Sequence, residues 1–291
     1  MPELPEVETI RRHLAPEVEG RTLTRLEILD PRWSLPLAPR ALADATEGRR
    51  LERLGRRGKY LISELEGDVF LLLHLRMTGT LLLTGDAAYA RVHLVFTQSP
   101  SATGTSDDGA RVLTFSDPRR FGTGELAVGR DALDRFLDAR LGVEPFDAAF
   151  TPEHLHALTR TSRAPIKAFL LDQKRIAGVG NIYADEALHR AGIHPQRVTN
   201  TLKRAQTEAL RDAIVAALAA GIEAKGATID DFRHPDGVQG SFQDRFRVHI
   251  RAGEPCPACG TLVRKLVVGG RGTYVCETCQ PPPRALRRRG R

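Results

Sequence analysis

Residues 256–279 read CPACGTLVRKLVVGGRGTYVCETC, two Cys-x-x-Cys pairs (Cys256/Cys259 and Cys276/Cys279) with sixteen residues between them. Each pair can set two thiolates on one ion, and zinc takes four such ligands in a tetrahedron. The spacing therefore predicts one structural zinc ion with no open position for catalysis. Between the pairs, residues 262–268 read as a strand, 269–272 as a turn and 273–275 as a second strand, a β-hairpin zinc finger. That turn would hold Arg271 at an exposed tip, within reach of a phosphate or a base. Two disulfides are the alternative, and they fit poorly with a chain that shows no secretion leader. A zinc ribbon by itself says only that a folded module is present, often one that binds nucleic acid.

Upstream of this module the periodicity is helical. Leu210, Ile214, Leu218 and Ile222 recur every fourth residue until Gly226, Thr151-Pro152-Glu153 is a capped helix start, and Pro165 opens another helix. Further upstream, from about residue 21 to 128, short apolar runs are punctuated by Gly, Pro and Asp. They lie at residues 23–29, 60–64, 69–75, 80–83, 92–96 and 112–115, the pattern of a sandwich or barrel-like β domain. Residues 5–15 form a helix with Val7, Ile10 and Leu14 on one face. The whole is an α+β, multi-domain chain with segments 1–130, 131–225 and 226–291. Residues 98–110 and 233–240 read as loops.

The chain has 291 residues, 43 of them basic and 36 acidic, for a net charge of +7. Twelve basic but only six acidic residues fall in 226–291, so almost all of the excess sits at that end, as in a polyanion-binding module. A solubilising tail at 284–291 would give the same balance. A 41% hydrophobic content excludes a wholly disordered or fibrous chain. No apolar run is long enough to span a bilayer, which together with the missing leader predicts a cytoplasmic protein.

The first residues carry their own chemistry. Proline at position 2 permits removal of the initiator methionine, leaving a secondary amine with Glu3 beside it and Glu6 in the first helical turn. An α-amino group has a pKa of about 7.7–8.0, so a usable fraction of it is unprotonated near neutrality. Such an amine attacking a sugar C1′ forms an iminium ion that acidifies the C2′ protons, and a nearby carboxylate can shuttle protons. A simple helix start would also use Pro and Glu.

Met1-Pro2-Glu3-Leu4-Pro5-Glu6-Val7-Glu8-Thr9 resembles the start of bacterial formamidopyrimidine-DNA glycosylases, the 8-oxoguanine repair enzymes. The resemblance continues in family order through Arg57-Gly58-Lys59-Tyr60-Leu61, His74-Leu75-Arg76-Met77-Thr78-Gly79, Asp117-Pro118-Arg119-Arg120-Phe121-Gly122, Gly178-Val179-Gly180-Asn181-Ile182-Tyr183-Ala184-Asp185-Glu186 and the zinc module. It implies a catalytic β-sandwich over 1–130, a helix–two-turns–helix DNA-binding domain over 131–225, and a lesion loop followed by the zinc finger over 226–291. Pro2 would be the nucleophile, Glu3 the proton donor, Glu6 a support in the same pocket, and Lys59 a contact to the lesion-side phosphate. Turning a nucleotide out of the stack leaves a hole. Phe121 would wedge into it, Arg119 would pair with the orphaned cytosine, and Met77 would plug the space. Asn181 and Arg271 would grip the backbone, and residues 231–242 would cover the everted base.

The implied activity is a bifunctional glycosylase and abasic-site lyase excising oxidised purines, acting as a monomer on damaged double-stranded DNA with no membrane partner. Two departures from the family pattern stand out: Arg76 where glycine is frequent, and Val248-His249-Ile250-Arg251 in place of a tyrosine-glycine-arginine stretch. The nearest rival is an endonuclease VIII type acting on oxidised pyrimidines. Leu4, where that type tends to carry glycine, and the residue 119–121 motif speak for the purine enzyme. A non-catalytic zinc-ribbon binder of nucleic acid explains the basic end and the cysteines, but not Pro2-Glu3, Lys59 or the wedge motif.

Overall fold

The computed structural model describes residues 2–97, 109–229, 235 and 239–283. The hairpin tip expected at 98–110, the lid expected at 231–242 and the tail beyond 281 lie largely outside the described residues. Two compact units form: Met1–Ala139 with Ala224–Ser241, and Arg140–Glu223 with Phe242–Arg291. Among the described residues no helix is long and apolar enough to cross a membrane.

The first unit opens with α1 (Leu4–Val18), whose Val7, Ile10, Leu14 and Val18 enter the core. Among the described residues eight strands follow: β1 (Thr22–Ile28), β2 (Arg49–Arg57), β3 (Tyr60–Leu65), β4 (Val69–His74), β5 (Thr80–Leu82), β6 (Ala90–Thr97), β7 (Arg111–Ser116) and β8 (Thr123–Val128). All pair antiparallel, in the order β5-β7-β6-β1-β2-β3-β4-β8. At the centre, β1 and β2 share only the pairs Thr22–Arg50 and Leu23–Arg49. The ribbon divides at that seam into two four-stranded layers around one core, with Leu26, Leu94 and Phe115 from one layer and Leu54, Leu61 and Leu71 from the other. This is the expected sandwich. Helix α2 (Pro39–Thr46) and helix α3 (Arg130–Asp138) complete the unit. Phe136 of α3 meets the ring of Tyr60 edge-on at 5.6 Å, and the Arg130 guanidinium lies 4.7 Å over Phe70. Strands β3 and β4 are thereby buried on both faces, which accounts for their nearly unbroken apolar sequence.

The second unit is helical, with α4 (Pro152–Arg160), α5 (Ile166–Leu171), α6 (Asn181–Arg190) and α7 (Arg204–Glu223), followed by the hairpin β9 (Arg264–Val268) and β10 (Arg271–Val275). Thr151 caps α4 by accepting the His154 N–H, and Pro165 precedes α5, as the sequence indicates. Leu210, Ile214 and Leu218 of α7 are buried. The hairpin turn is tighter than expected. Gly269 and Gly270 alone make it, with φ of 57° and 73°, the all-positive pattern of a two-residue turn matched to strand twist. Arg271 is thus the first residue of β10, paired with Val268 and exposed, rather than a member of the turn.

Candidate functional site

In the first unit, strand register gathers most of the expected residues at one end of a sheet. Tyr60 pairs with His74 and His74 with Thr123, a single row across β3, β4 and β8. Lys59, the loop 75–79 holding Met77, and the loop 117–122 holding Arg119 and Phe121 all leave the sheet from that row. On the neighbouring layer Thr80 pairs with Ser116, which brings the same two loops side by side again. Phe121 is 50% exposed, and the Arg119 guanidinium lies 4.9 Å over its ring. Met77 is half-buried. Phe121 and the exposed Arg119 thus form one cation–π pair at the surface of this loop.

The start of α1 is buried. Glu3 and Glu6 are each 1% exposed, and Pro2 is buried with them. Glu6 Oε2 accepts the Glu3 N–H at 2.9 Å in a capping box, and Glu6 Oε1 accepts the Ala227 N–H at 2.8 Å. One carboxylate therefore fixes both the chain end that carries Pro2 and the segment that returns after α7. Lys59 is 5% exposed and follows Gly58, whose φ is 58°. Arg56 secures its hairpin, donating from Nη1 to the Gly58 carbonyl at 2.9 Å and from Nε to Glu8 Oε2 at 3.1 Å. The Lys59 hairpin and the helix behind Pro2 are in this way one piece.

Glu8 also accepts from Arg11 and Arg12. Burial pushes its carboxyl up, but those hydrogen bonds and the charges of Arg11 and Arg56 outweigh it and hold the pKa at about 2 against the ordinary 4.5. A depressed carboxylate stabilises the fold above its unfolded pKa and loses that contribution as pH falls through its folded value. Glu8→Gln is therefore expected to lower Tm at pH 7 by roughly 3 °C or more, and the gap to the parent should close as pH falls from 4.5 toward 2. Thermal melts across that range check this, and a gap constant with pH would remove the Glu8 carboxylate as the anchor.

His74, beside this hairpin, is pushed down to about 3 by burial and by the charges of Arg76 and Lys59. Its neutral ring accepts the Arg76 N–H on Nδ1 at 3.0 Å. Arg76 holds φ at 54°, in the left-handed region, which is where a glycine is easiest to place.

In the second unit, the turn before α6 is organised by Gln173. Its Oε1 accepts the Gly178 N–H at 2.9 Å and its Nε2 donates to the Val179 carbonyl at 2.8 Å. Asn181 donates its amide to the Gly272 carbonyl at 3.1 Å, so its side chain ties α6 to the hairpin beside Arg271. Lys167 donates to the same carbonyl and to Thr273 Oγ1, each at 2.9 Å, and pairs with Asp185 at 2.7 Å. His249, at the second departure, contacts the other Asp185 oxygen through Nδ1 at 2.8 Å, and Glu186 accepts the N–H groups of Arg247, Val248 and His249. The sequence does not announce these partners. Their only signal is a scarce lysine and two acids on a helix that is buried almost throughout.

The four cysteine sulfurs lie within 4.8 Å of one another, with Cys259–Cys276 at 3.4 Å and Cys256–Cys279 at 3.9 Å. Tetrahedral zinc at about 2.3 Å from each sulfur needs sulfurs about 3.8 Å apart, whereas a disulfide needs about 2.0 Å. The donor set fits zinc. His189 of α6 places Nε2 3.3 Å from the Cys256 sulfur, a contact with no signature in the residue pattern. It is the kind of outer partner that orients a metal ligand.

Three family models match the chain. They are the formamidopyrimidine-DNA glycosylase N-terminal domain over residues 1–124, the H2TH domain of the same enzymes over 141–233, and the zinc finger found in FPG and IleRS over 253–282. The formamidopyrimidine-DNA glycosylase of Chloroflexus aurantiacus is 44% identical over 280 residues, covering 96% of this chain and 98% of that one. The crystal structure of the MutM (Fpg) protein of Thermus thermophilus is similar with a TM-score of 0.85 at 42% identity, covering 97% of this chain and all of that one. A Lactococcus lactis FPG mutant in complex with DNA containing Fapy-dG gives 0.87 at 35% identity with the same coverage.

Proposed function

We propose, on the premise that this chain belongs to the formamidopyrimidine-DNA glycosylase family, that Pro2 is the nucleophile with which it removes oxidised purines opposite cytosine. The chain is a DNA glycosylase with abasic-site lyase activity, of the base excision repair class, and it carries one structural zinc ion. The observation supporting Pro2 is the buried pair of glutamates behind it, an unusual place for two acids unless one of them works.

The Pro2 nitrogen bonds to C1′ as the bond from C1′ to the base breaks. The base leaves with that electron pair and takes up a proton. Glu3 protonates the ring oxygen as the sugar opens to the iminium ion. Loss of a C2′ proton expels the 3′ phosphate, and a second elimination expels the 5′ phosphate. Water then hydrolyses the iminium and frees Pro2. Lys59 neutralises the phosphate next to the reacting sugar. Phe121, Arg119 and Met77 fill the place of the everted nucleotide, while Arg271 and the N-terminus of α6, oriented by Asn181, hold the backbone. Catalysis belongs to residues 1–130, the backbone grip to 131–225, and the lesion cover and zinc finger to 226–291. The enzyme works as a monomer on the damaged chromosome.

Borohydride trapping on duplexes with an oxidised purine or an oxidised pyrimidine opposite its normal partner tests the assignment. The purine duplex is expected to give at least about tenfold more adduct, because polar pockets reject mismatched donor patterns strongly. Preferential trapping on the pyrimidine duplex would place the chain with the endonuclease VIII type, and no adduct on either would leave only a nucleic-acid binder.

A further inference from the structure

The three residues assigned to filling the vacated stack lie on two loops, yet both loops fasten to a single side chain. Asp117, with no exposed surface, accepts the N–H groups of Phe121 at 2.8 Å and Gly122 at 2.7 Å on Oδ2. Its Oδ1 accepts the Arg119 N–H at 3.2 Å and the hydroxyl of Thr78, the residue after Met77. Behind it the buried Arg91 donates from Nη1 to the Gly122 carbonyl at 3.0 Å. Arg91 also pairs with Asp30 at 3.2 Å and lies 3.7 Å from Asp117, which offsets the cost of burying a carboxylate. The loop has little freedom to relax elsewhere. A Cβ at Gly122 would sit 2.4 Å from the Phe115 ring, and Arg120 is held at φ 59°.

We infer that Asp117 is the positioning residue that couples the Met77 loop to the Arg119–Phe121 loop and thereby sets which base the enzyme accepts opposite the lesion. Asp117 touches no substrate; it acts by aiming Arg119 and Phe121 and by holding Met77 beside them. The inference rests on the reading of these three residues as the stack-filling group. Its physical content is that four hydrogen bonds on one carboxylate turn two loops into one rigid unit. A guanidinium can discriminate one base edge from another only if its backbone does not yield.

The test measures single-turnover excision of an oxidised purine opposite cytosine and opposite adenine, taking the ratio of the two rates. Arg119→Ala is expected to lower that ratio by about tenfold or more, the value of a paired planar donor. Asp117→Ala is expected to lower it by at least about tenfold as well, since hydrogen bonds to a charged group are lost at both loops. Asp117→Asn keeps its oxygen on the Phe121 and Gly122 N–H groups and turns its amide to the Thr78 hydroxyl, giving up only the longer contact with the Arg119 N–H. It is expected to recover most of the ratio, within about threefold of the parent. Thr78→Val removes only the link to the Met77 loop, and a fall of about threefold is expected.

A folded Asp117→Ala enzyme that keeps the parental ratio while Arg119→Ala loses it overturns the inference and leaves the stack-filling reading intact. An unchanged ratio in Arg119→Ala overturns both. Should Asp117→Ala fail to fold, Thr78→Val decides, and a parental ratio in that variant overturns the coupling.

Discussion

A chain that keeps any residue in peptide linkage ahead of Pro2 is expected to bind a lesion duplex and yet form no borohydride-stable adduct with it. The nitrogen of an acylated proline is an amide, and its lone pair is delocalised into the carbonyl, the same resonance that makes a peptide bond planar. It can neither attack C1′ nor carry the iminium charge. The free imino terminus, with a pKa near that of an α-amine at about 8, can do both. The effect is therefore all or none, larger than any effect of changing a proton donor. Glu3→Gln, by comparison, leaves the nucleophile in place and is expected to cost about 10²–10⁴-fold in excision. Gel-resolved trapping with mass spectrometry of the adduct reads both results. An extended chain that still traps would remove Pro2 from the mechanism, and a fully active Glu3→Gln enzyme would remove Glu3.

The second large effect concerns the metal. Stripping zinc with a strong chelator, or Cys276→Ala, is expected to melt the β9–β10 hairpin, because in small ribbons the free energy of binding zinc, about 10–16 kcal/mol, is the free energy of folding. Arg271 leaves with the hairpin, and so does the Gly272 carbonyl that takes the Lys167 ammonium and the Asn181 amide. DNA affinity is expected to fall about 10²-fold or more at fixed salt, as two or more backbone contacts disappear together. The first unit supplies its own control. The single tryptophan, Trp33, is fully buried there against Phe115 at 5.8 Å. Its emission is expected to remain native while the ribbon is lost. Fluorescence anisotropy with labelled duplex, read beside tryptophan emission, separates the two events. Zinc-free protein that binds DNA as before would end the role given to Arg271.

Elements whose signal is local were readable from the residues alone. The cysteine pairs name their own ion, the Thr151-Pro152 start names a cap, and the fourfold spacing in α7 names its buried face. Strand β2 was not readable. Its sequence, RRLERLGRR, is dominated by charge, and Leu51 and Leu54 stand three apart, a helical spacing. A register shift between Leu51 and Arg53 in the β2–β3 pairing inserts the extra residue that lets both leucines reach the core. Sequence alone cannot display a bulge. The same holds for the partners of Asp117, Lys167 and Glu186, which lie far away in the chain or depend on a turn whose shape is tertiary. The resemblance pointed to the residues proposed to meet DNA. It assigned no role to Asp117, Lys167, Asp185 or Glu186, because their partners are identified by geometry. His249 illustrates the gap: its difference from the family pattern was visible, but its pairing with Asp185 was not.

The hydrogen bond from the Ala227 backbone to Glu6 has a practical consequence for anyone who would dissect or rebuild this enzyme. The half that carries Pro2 is not a cassette that ends where its last strand and helix end. Residues 224–241 belong to it, and they arrive only after the chain has made the helices of the other half. A fragment cut after residue 139 would leave the Glu6 carboxylate facing an empty place where an amide should be. A transplantable version must bring that short return segment along, either as a separate peptide or through a permuted chain that encodes the two pieces in tandem.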